Sequence, residues 1–386
     1  MKSEVNMMIP YNKMCITGKE IEYMNDSLLR TQISGDGRYT KLVGDLISRR
    51  FNTGKVFMTT SATHALEMAM LIIGLKPGDE VIMPSFTFSS TANAVLLRGA
   101  RPVFAEIDED TLNLDPSDVE KRITNNTRAI IPVHYAGVCC EMDRIMELAD
   151  NAGLYVVEDA AQAVNSKYKG KYTGSIGHMG CYSFHGTKNY TCGEGGALLI
   201  NTDDPCLLER ADNIRQKGTD RGRFLRGETD SYSWVDTGSS YSPSDVLMAV
   251  LYAQLEAMDE ITGKRRLIHD YYRSILQKYS GSQVLRVMEI PEACESNYHI
   301  FYILLKDEST RNLVRDKLLE KGITALTHYV PLHSSSMGKK LGYREGDLKK
   351  TELAGKCLLR LPLYPGMGAE DMHYVVRQLA DILEGL

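Results

Sequence analysis

Short apolar runs alternate with helical patterns between about residues 55 and 200. The short runs predict strands, and the longer segments with apolar residues at helical spacing predict helices. Strands that alternate with helices of ten or more residues predict a mostly parallel sheet covered on both faces. The predicted strands lie in KVFMTTS, DEVIMPS, RPVFAEID, TRAIIPVHY and LYVVEDA, and the predicted helices in ATHALEMAMLIIG, TFSSTANAVLLRG and EMDRIMELADNAG.

The pattern changes after residue 200. The polar, turn-rich segment DNIRQKGTDRGRFLRGETDSYSWVDTGSSYSPSD is too long for an ordinary connector, so we predict a functional loop there. A long helical period follows in DVLMAVLYAQLEAMDEITGKRRLIHDYYRSILQKY, and then a strand, YHIFYILL, and helices in RNLVRDKLLEKG and MHYVVRQLADILEGL. We predict a large α/β domain over residues 1–254 and a smaller α+β C-terminal domain over residues 255–386.

The charge balance narrows the class of partner. The 386 residues include 45 basic and 50 acidic ones, a net charge of −5 that favours neither a nucleic acid nor an anionic membrane as partner. No apolar run reaches the ~18 residues of a membrane span. The opening MKSEVNMMIPYNK lacks the apolar core of a secretory signal, and the eight cysteines are scattered without a CxxC pair. We therefore expect a cytoplasmic protein with free thiols.

Three segments place reactive groups where ligands bind in open α/β sheets, beyond the carboxyl ends of the strands. In TTSATHALEM a strand ends, Ser61 and Thr63 offer hydroxyl groups, and a helix begins. The free N–H groups and the positive dipole end of a helix N-terminus suit a phosphate. The alternative interpretation is that Ser61 only caps the helix.

The second segment, LYVVEDAAQAV, ends an apolar run with Glu158 and Asp159. A carboxylate that is partly buried at this point needs a partner. One interpretation is a carboxylate that keeps a cationic ring nitrogen protonated, because opposite charges close together favour the charged forms of both groups. The alternative is a helix cap or a salt bridge.

The third segment, SFHGTKNYTCGEGG, places Lys188 among glycines and hydroxyl groups between two apolar runs. A lysine is a nucleophile only when neutral, so it needs a pocket that lowers its pKa. Such a lysine could form an imine with an aldehyde, and Ser183 could donate to a phosphate. The alternative is a solvated loop lysine.

The three segments together fit one cofactor, pyridoxal 5′-phosphate (PLP), which needs a phosphate site, a carboxylate at its ring nitrogen and a lysine. Phe88, in PSFTF, either covers the ring of the cofactor or belongs to the core. Competing motifs are missing, since GEGG is not GxGxxG and no GxxxxGK[ST] occurs. His328 and His333 do not have the HExxH spacing, and we expect no bound metal.

The whole chain resembles the DegT/StrS-type sugar-nucleotide aminotransferases. The resemblance is carried, in order, by TSATHALEM, PGDEVIMPSFTF, IIPVHYAG, VVEDAAQA and SFHGTKNYTCGEGG. It implies the PLP-dependent fold type I, which is aspartate aminotransferase-like, and a homodimer or larger assembly with shared active sites. MIPYN, SGDGRYT, PVHYAGVCCEMD, KGTDRGRFLRG and HYVPLH resemble a subgroup that aminates dTDP-4-keto-6-deoxy-D-glucose at carbon 4, with L-glutamate as donor, for the synthesis of enterobacterial common antigen.

The resemblance also implies a role for individual residues. Lys188 matches the lysine that binds PLP covalently, and Asp159 matches the partner of the pyridine nitrogen. The remaining cofactor contacts are Gln162 near the ring, Phe88 stacked on the ring, and Ala62, Thr63 and Ser183 at the phosphate, with Ser61 at the same turn.

One segment departs from the wider family pattern. Many members carry G-x-N-x-R late in the long loop, and that asparagine reaches the phosphate in the neighbouring subunit. Here Ser240 takes the asparagine position and Ser242 the arginine position, within GSSYS. A serine can still donate one hydrogen bond, although its reach is shorter. The same GSSY departure occurs in the subgroup named above.

The substrate contacts are less specific. The long loop gathers four basic residues that suit a nucleotide-sugar diphosphate, although a solvated basic loop is the alternative: Lys217, Arg221, Arg223 and Arg226. Further candidates for sugar contacts, or else structural residues, are His134, Tyr135, His328 and His333.

Three other functions are weighed against transamination at carbon 4. A PLP-dependent dehydratase of the same fold would carry histidine in place of Lys188. Transamination at carbon 3 of the sugar is not excluded by the motifs around PLP. A PLP-binding regulator would normally carry an added DNA-binding domain, and no basic helix-turn-helix segment is visible in the sequence.

Overall fold

The computed structural model describes residues 8–280 and 285–386. Residues 1–7 belong to the polar opening from which we predict no secretory signal, and they lie outside the described residues. Within the described ranges, no helix has both the length and the apolar character that crossing a membrane requires.

The strands and helices follow one another along the chain as the alternating pattern predicts. In chain order the strands are β1 (Lys55–Thr59), β2 (Glu80–Pro84), β3 (Arg101–Ala105), β4 (Thr127–Ile130), β5 (Tyr155–Asp159), β6 (Lys167–Tyr168), β7 (Lys171–Tyr172), β8 (Met179–Ser183), β9 (Gly196–Ile200), β10 (Leu285–Val287), β11 (Cys294–Glu295), β12 (Phe301–Leu305) and β13 (Leu358–Leu361). The helices are α1 (Glu20–Leu29), α2 (Arg38–Phe51), α3 (Ala62–Ile72), α4 (Ser89–Leu96), α5 (Pro116–Arg122), α6 (Met142–Ala152), α7 (Pro205–Arg215), α8 (Arg221–Leu225), α9 (Asp245–Glu256), α10 (Met258–Leu276), α11 (Glu308–Glu320), α12 (Ser336–Lys340), α13 (Lys349–Cys357) and α14 (Ala369–Glu384).

In the part of the chain that the structure describes, seven strands form the central sheet, in the order β1-β9-β8-β5-β4-β2-β3. The pairs from β8 to β3 are parallel, whereas β9 is antiparallel to both β1 and β8. The mostly parallel sheet is therefore confirmed. Because β9 returns directly beside β8, the segment between them is a hairpin loop at the carboxyl edge of the sheet.

Both faces of the central sheet are buried. Along β9, Leu198 and Ile200 pack into the core beneath α3 and α7. Ala197 and Leu199 point the other way, into the core beneath α2 and α9. This alternation follows from the period of two along a strand. It explains why the strands read as continuous apolar runs rather than as alternating polar and apolar residues.

The segment after residue 200 is more helical than the sequence predicts. The start of the predicted loop lies in α7, where Asp204 accepts from the amide of Cys206 and Pro205 occupies the first turn. This capping signal begins a helix that continues to Arg215, so the predicted loop starts several residues too early. The long helical period that follows is two helices rather than one, because the chain breaks at Ala257 between α9 and α10.

The tail has the predicted α+β character. β10, β12 and β13 form an antiparallel sheet, and α10, α11 and α14 pack around it. The boundary predicted after residue 254 falls inside α9, and β11 pairs back with β6. The division into two domains remains a prediction.

The carboxylate of Asp245 joins α9 to the start of α2, and its loss is expected to destabilise the protein. Its Oδ1 accepts from the amide and hydroxyl of Thr40, at 2.7 and 2.8 Å, and Oδ2 accepts from the amide of Tyr39 at 3.1 Å. Since all these donors are buried, we expect Asp245→Ala to lower the free energy of unfolding by about 3 kcal/mol. Urea denaturation measures the change. The matched control is Asp381→Ala, on the exposed face of α14; equal changes in the two variants would contradict the prediction.

Candidate active site

The candidate site lies where β5 and β8 end, where β9 begins, and beside the first turn of α3. Gly196, the first residue of β9, pairs with Thr59 on one side and with Ser183 on the other. A Cβ atom on Gly196 would lie 2.3 Å from the carbonyl carbon of Ser61 and 2.5 Å from the amide nitrogen of Ala62. Only glycine therefore allows α3 to begin this close to the hairpin, which brings Ser183 next to the helix N-terminus.

The first turn of α3 offers unused N–H donors. Ser61 is the N-cap, and its Oγ accepts from the amide of His64 at 3.1 Å. The capping interpretation of Ser61 thus holds for its side chain. The amides of Ala62 and Thr63 have no protein acceptor among the described residues, as expected for the start of a helix. The buried hydroxyl of Ser183 accepts a long hydrogen bond from the amide of His185, at 3.4 Å, so its own O–H remains free to donate.

Lys188 lies in the hairpin loop between β8 and β9 and is partly buried. Desolvation lowers the pKa of its amine to about 8, with the carboxylate of Asp159 acting in the opposite direction and the guanidinium of Arg360 in the same direction. Asp159 is buried at the end of β5, where its Oδ2 accepts from the hydroxyl of Thr91 at 2.8 Å and its Oδ1 from the amide of Ala161 at 3.2 Å. The structure therefore brings the predicted lysine and carboxylate into one pocket.

Gln162 follows Asp159 by three residues, and Phe88 immediately precedes α4, whose Thr91 donates to Asp159. Gln162 Oε1 accepts from the amide of Ala136 at 2.9 Å, and its Nε2 donates to the hydroxyl of Tyr329 at 3.0 Å. Phe88, immediately before α4, is 61% exposed. Of the two interpretations of Phe88, the core position is therefore excluded, and its ring is free to cover a planar ligand.

The C-terminal part of the chain adds residues that the sequence reasoning missed. Arg360 of β13 and His328 both interact electrostatically with this part of the protein. Burial lowers the pKa of His328 to about 2, and the positive charges of Arg360 and Lys188 contribute to the lowering. His299 is buried, its Nδ1 donates to Asn189 Oδ1 at 2.9 Å, and its pKa is held well below the usual range by burial and then by Lys188. Both histidines are therefore neutral. An arginine inside the apolar run LLRLPL was the signal that could have revealed Arg360.

Two of the histidines considered for sugar contacts lie outside the pocket. His134 is fully buried: its Nδ1 accepts from the amide of Cys140 at 3.1 Å, so its Nε2 carries the proton and donates to Glu158 Oε2 at 2.8 Å. His333 is also fully buried, with Nδ1 2.7 Å from Ser85 Oγ and Nε2 2.9 Å from Glu352 Oε1. Since both ring nitrogens of each are engaged within the protein, both histidines are structural, and the substrate interpretation is corrected.

The other two aromatic candidates lie one behind the other. His328 is partly buried and stacks on Tyr329, with ring centroids 3.7 Å apart. Tyr135 is fully buried behind it, and its hydroxyl lies 3.1 Å from His328 Nδ1. Only His328 of this pair borders the pocket, while Tyr135 fixes its ring.

The four basic residues of the long loop divide into two pairs. Arg223 lies 3.6 Å from Glu209, and Arg226 lies 2.6 Å from Glu228, which also approaches Arg223. In the described ranges, Lys217 and Arg221 take part in no such ion pair, so their charges are available to a ligand. The loop also returns to α3, because the carbonyl of Tyr241, next to exposed Ser240, accepts from the amide of Thr60 at 3.0 Å.

These residues fit PLP. The free amides of Ala62 and Thr63, with the hydroxyl of Ser183, suit its phosphate; Asp159 suits a protonated ring nitrogen; and the Lys188 amine suits its aldehyde. Residues 14–380 match the family model of the DegT/DnrJ/EryC1/StrS aminotransferase family. The chain belongs to this family.

Relatives cover almost the whole of this aminotransferase. The spore coat polysaccharide biosynthesis protein SpsC of Bacillus subtilis (strain 168) is 33% identical over 98% of each chain. GDP-perosamine synthase of Escherichia coli O157:H7 is 31% identical over 96% of this chain and 97% of its own length. The putative sugar aminotransferase Spr1654 from Streptococcus pneumoniae, solved in PMP and PLP forms, superposes over 98% of this chain and over 98% and 99% of its own chain, at 27% identity and with a TM-score of 0.90 for each. The protein is thus a PLP-dependent aminotransferase of fold type I, as the sequence resemblance implied.

The lowered pKa of Lys188 predicts how PLP attachment depends on pH. Because only the unprotonated amine attacks an aldehyde, attachment to the PLP-free protein should accelerate up to about pH 8 and then level off. Asp159→Asn removes a charge that raises this pKa, so the midpoint should move to lower pH. Borohydride trapping followed by intact mass measures the attached fraction over time.

The control for this experiment is Lys188→Ala, which should show no attachment at this position. A midpoint near the ordinary lysine value of 10.5 in the unmodified protein would contradict a desolvated amine.

Proposed function

We propose that this aminotransferase acts on a sugar nucleotide. It transfers the amino group of L-glutamate to carbon 4 of dTDP-4-keto-6-deoxy-D-glucose, giving dTDP-4-amino-4,6-dideoxy-D-galactose and 2-oxoglutarate. The observation that carries transamination is the desolvated amine of Lys188 beside the carboxylate of Asp159 at the carboxyl edge of the sheet. The choice of sugar is supported by the subgroup motifs, among them SGDGRYT, KGTDRGRFLRG and GSSY.

Each residue of the pocket has a part in this reaction. PLP, when bound, supplies an electron sink for the carbon that carries the amine. The amides of Ala62 and Thr63 hold the phosphate at the helix N-terminus. Asp159, oriented by Thr91, keeps its negative charge at the ring nitrogen and so favours the protonated form of that nitrogen.

Lys188 performs the proton transfers. Its neutral amine would take the proton from the substrate carbon that carries the amine and, once protonated, would deliver it to the aldehyde-derived carbon of PLP, acting first as a general base and then as a general acid. A pKa near 8 suits both steps at physiological pH, since either form is readily reached. Because one amine serves one face of the cofactor, Lys188 also sets the configuration of the new amine on the sugar.

The assembly and the location are proposals of the same kind. A cytoplasmic homodimer in which Ser240 of one subunit donates to the phosphate held by the other agrees with the exposure of Ser240. The pathway we favour leads to a cell-surface polysaccharide, with enterobacterial common antigen as the specific case. Amination at carbon 3 or with the other configuration at carbon 4 is the alternative, and a PLP-binding regulator is the non-enzymatic one.

Product NMR tests the sugar assignment. PLP-loaded protein with L-glutamate and dTDP-4-keto-6-deoxy-D-glucose should yield a sugar whose proton couplings show an axial amine at carbon 4. Lys188→Ala should give no product, because the proton-transferring amine is gone, although the phosphate contacts remain. Large couplings at H4 would instead show an equatorial amine. Product from the 3-keto isomer alone would move the reaction to carbon 3, and no turnover despite a good PLP spectrum would favour the regulator.

The division of the loop cations predicts which of them bind the diphosphate. Lys217→Ala and Arg221→Ala should each raise the KM for the sugar nucleotide about tenfold, as expected for the loss of one charge-assisted hydrogen bond. The matched controls are Arg223→Ala and Arg226→Ala, whose charges are already paired within the protein. Steady-state kinetics at saturating L-glutamate measures the effect. Equal effects in both pairs, or none in either, would contradict the assignment.

A further inference from the structure

Asn189 fixes the backbone directly after Lys188 to a distant part of the chain. Its Nδ2 donates to the carbonyl of Asn297 at 2.8 Å, and its Oδ1 accepts from Nδ1 of His299 at 2.9 Å. Asn189, Asn297 and His299 are all buried. Each polar atom of the Asn189 side chain is therefore engaged, and both partners lie just before β12, the central strand of the C-terminal sheet.

The chain before Lys188 is held less firmly. His185 and Thr187 are exposed, and the amide of Lys188 donates to the carbonyl of His185 within the same turn, at 2.9 Å. A longer-range bond on this side joins the side chain of Asn12 to the carbonyl of Gly186, at 3.4 Å. The firm anchor next to the lysine is thus the residue that follows it.

Asn297 joins Asn189 to the turn that follows β5. Its side-chain amide donates to the carbonyls of Gln162 and Val164, each at 2.9 Å, while its own carbonyl accepts from Asn189. One buried residue therefore holds both the segment of Gln162 and the hairpin loop of Lys188. These bonds fix the spacing between the lysine and the end of β5.

The backbone between the two partners of Asn189 adopts an unfavourable conformation. Tyr298 has a φ of 55°, in the left-handed region that a bulky side chain rarely occupies. The buried guanidinium of Arg265 holds this turn, since its Nε donates to the carbonyl of Tyr298 at 2.9 Å and its Nη2 donates to the carbonyl of His299. The turn presents the carbonyl of Asn297 and the ring of His299 to one side chain. Backbone strain of this kind clusters at functional sites, where the surrounding structure maintains it.

We propose that Asn189 is a positioning residue for the amine of Lys188. This inference rests on the proposed role of Lys188 and deepens it. The amine must reach both the aldehyde carbon of PLP and the proton of the substrate carbon, so a small displacement of its backbone slows both steps. A carboxamide suits the task because it offers a donor and an acceptor without a charge. A carboxylate in its place would raise the pKa of the neighbouring lysine.

The test compares two ligands on the PLP-free protein. Pyridoxamine 5′-phosphate (PMP) has an amine in place of the aldehyde, so it binds through the phosphate and ring contacts without reacting with Lys188. At saturating PLP and about pH 8, we expect Asn189→Ala to slow attachment, measured by borohydride trapping and intact mass, about 10- to 100-fold. The affinity for PMP, measured by calorimetry, should be unchanged, whereas a general loss of structure would weaken it.

The matched control is Gln254→Ala, which removes another buried side-chain amide with two acceptors in the protein. Gln254, on α9, donates to the carbonyl of Cys15 at 2.8 Å and to the carboxylate of Glu20. This variant should attach PLP at the rate of the unmodified protein.

A second pair of variants tests the link to the distant segment. His299→Ala removes one of the two bonds to Asn189 and should slow attachment about 3- to 10-fold, as expected for the loss of one hydrogen bond. His299→Asn should recover most of the rate, because its Nδ2 can donate where the imidazole Nδ1 does.

The outcomes separate this inference from the proposed function. If Asn189→Ala binds PMP and attaches PLP as the unmodified protein does, the inference is overturned and the role of Lys188 stands. Equal losses of PMP affinity and attachment rate would show a purely structural residue and overturn it as well. If the unmodified protein attaches no PLP at Lys188, the proposed role of that lysine fails and the inference fails with it. If Asn189→Ala does not fold, His299→Ala decides, since attachment at the unmodified rate would overturn the inference.

Discussion

The site depends on the balance of one electrostatic pair. Lys188 must lose its proton to act as a nucleophile and base, while Asp159 must keep its negative charge, and that charge opposes the loss of the proton. Burial lowers the pKa of the lysine by more than Asp159 raises it, and Arg360 adds to the lowering. The carboxylate is stabilised separately, by Thr91 and by the amide of Ala161. Each group thus has its own support, and neither depends on forming a salt bridge with the other.

The residues that hold Ser183 and Asp159 in place come from distant parts of the chain. Gly196 lets the hairpin lie against the start of α3, which fixes Ser183 beside two free amides. Glu158, directly before Asp159, is held by His134 and by the amides of Gly174, Ile176 and Gly177 at 2.6–2.8 Å. A fully buried carboxylate with four donors anchors the end of β5 and therefore the backbone of the neighbouring Asp159.

How much of the fold and of the candidate site the sequence predicts depends on how far apart along the chain the contacting residues are. The sheet and its carboxyl edge follow from local periodicity, and Lys188, Asp159 and the turn of α3 follow from their positions at the ends of apolar runs. His134 looked equivalent to His328 along the chain, because burial and partners are decided by residues such as Glu158 and Arg360 that the local pattern does not connect. Arg360 was missed for the same reason: β13 reaches Lys188 only through packing of the C-terminal sheet. The internal pairing of Arg223 and Arg226 likewise depends on α7, which the sequence reasoning treated in part as loop.

The reversed strand β9 also has a consequence for biosynthesis. Among the strands of residues 8–280 and 285–386, β1 pairs only with β9, which follows it by roughly 140 residues, so β1 lacks this neighbour in the sheet while the intervening chain is being made. At translation rates of about 5–20 residues per second, that interval is on the order of ten seconds. The turn that carries Ala62 and Thr63 can dock against Gly196 only afterwards. The capacity to bind the cofactor phosphate therefore arises only after all the parallel strands have been synthesised.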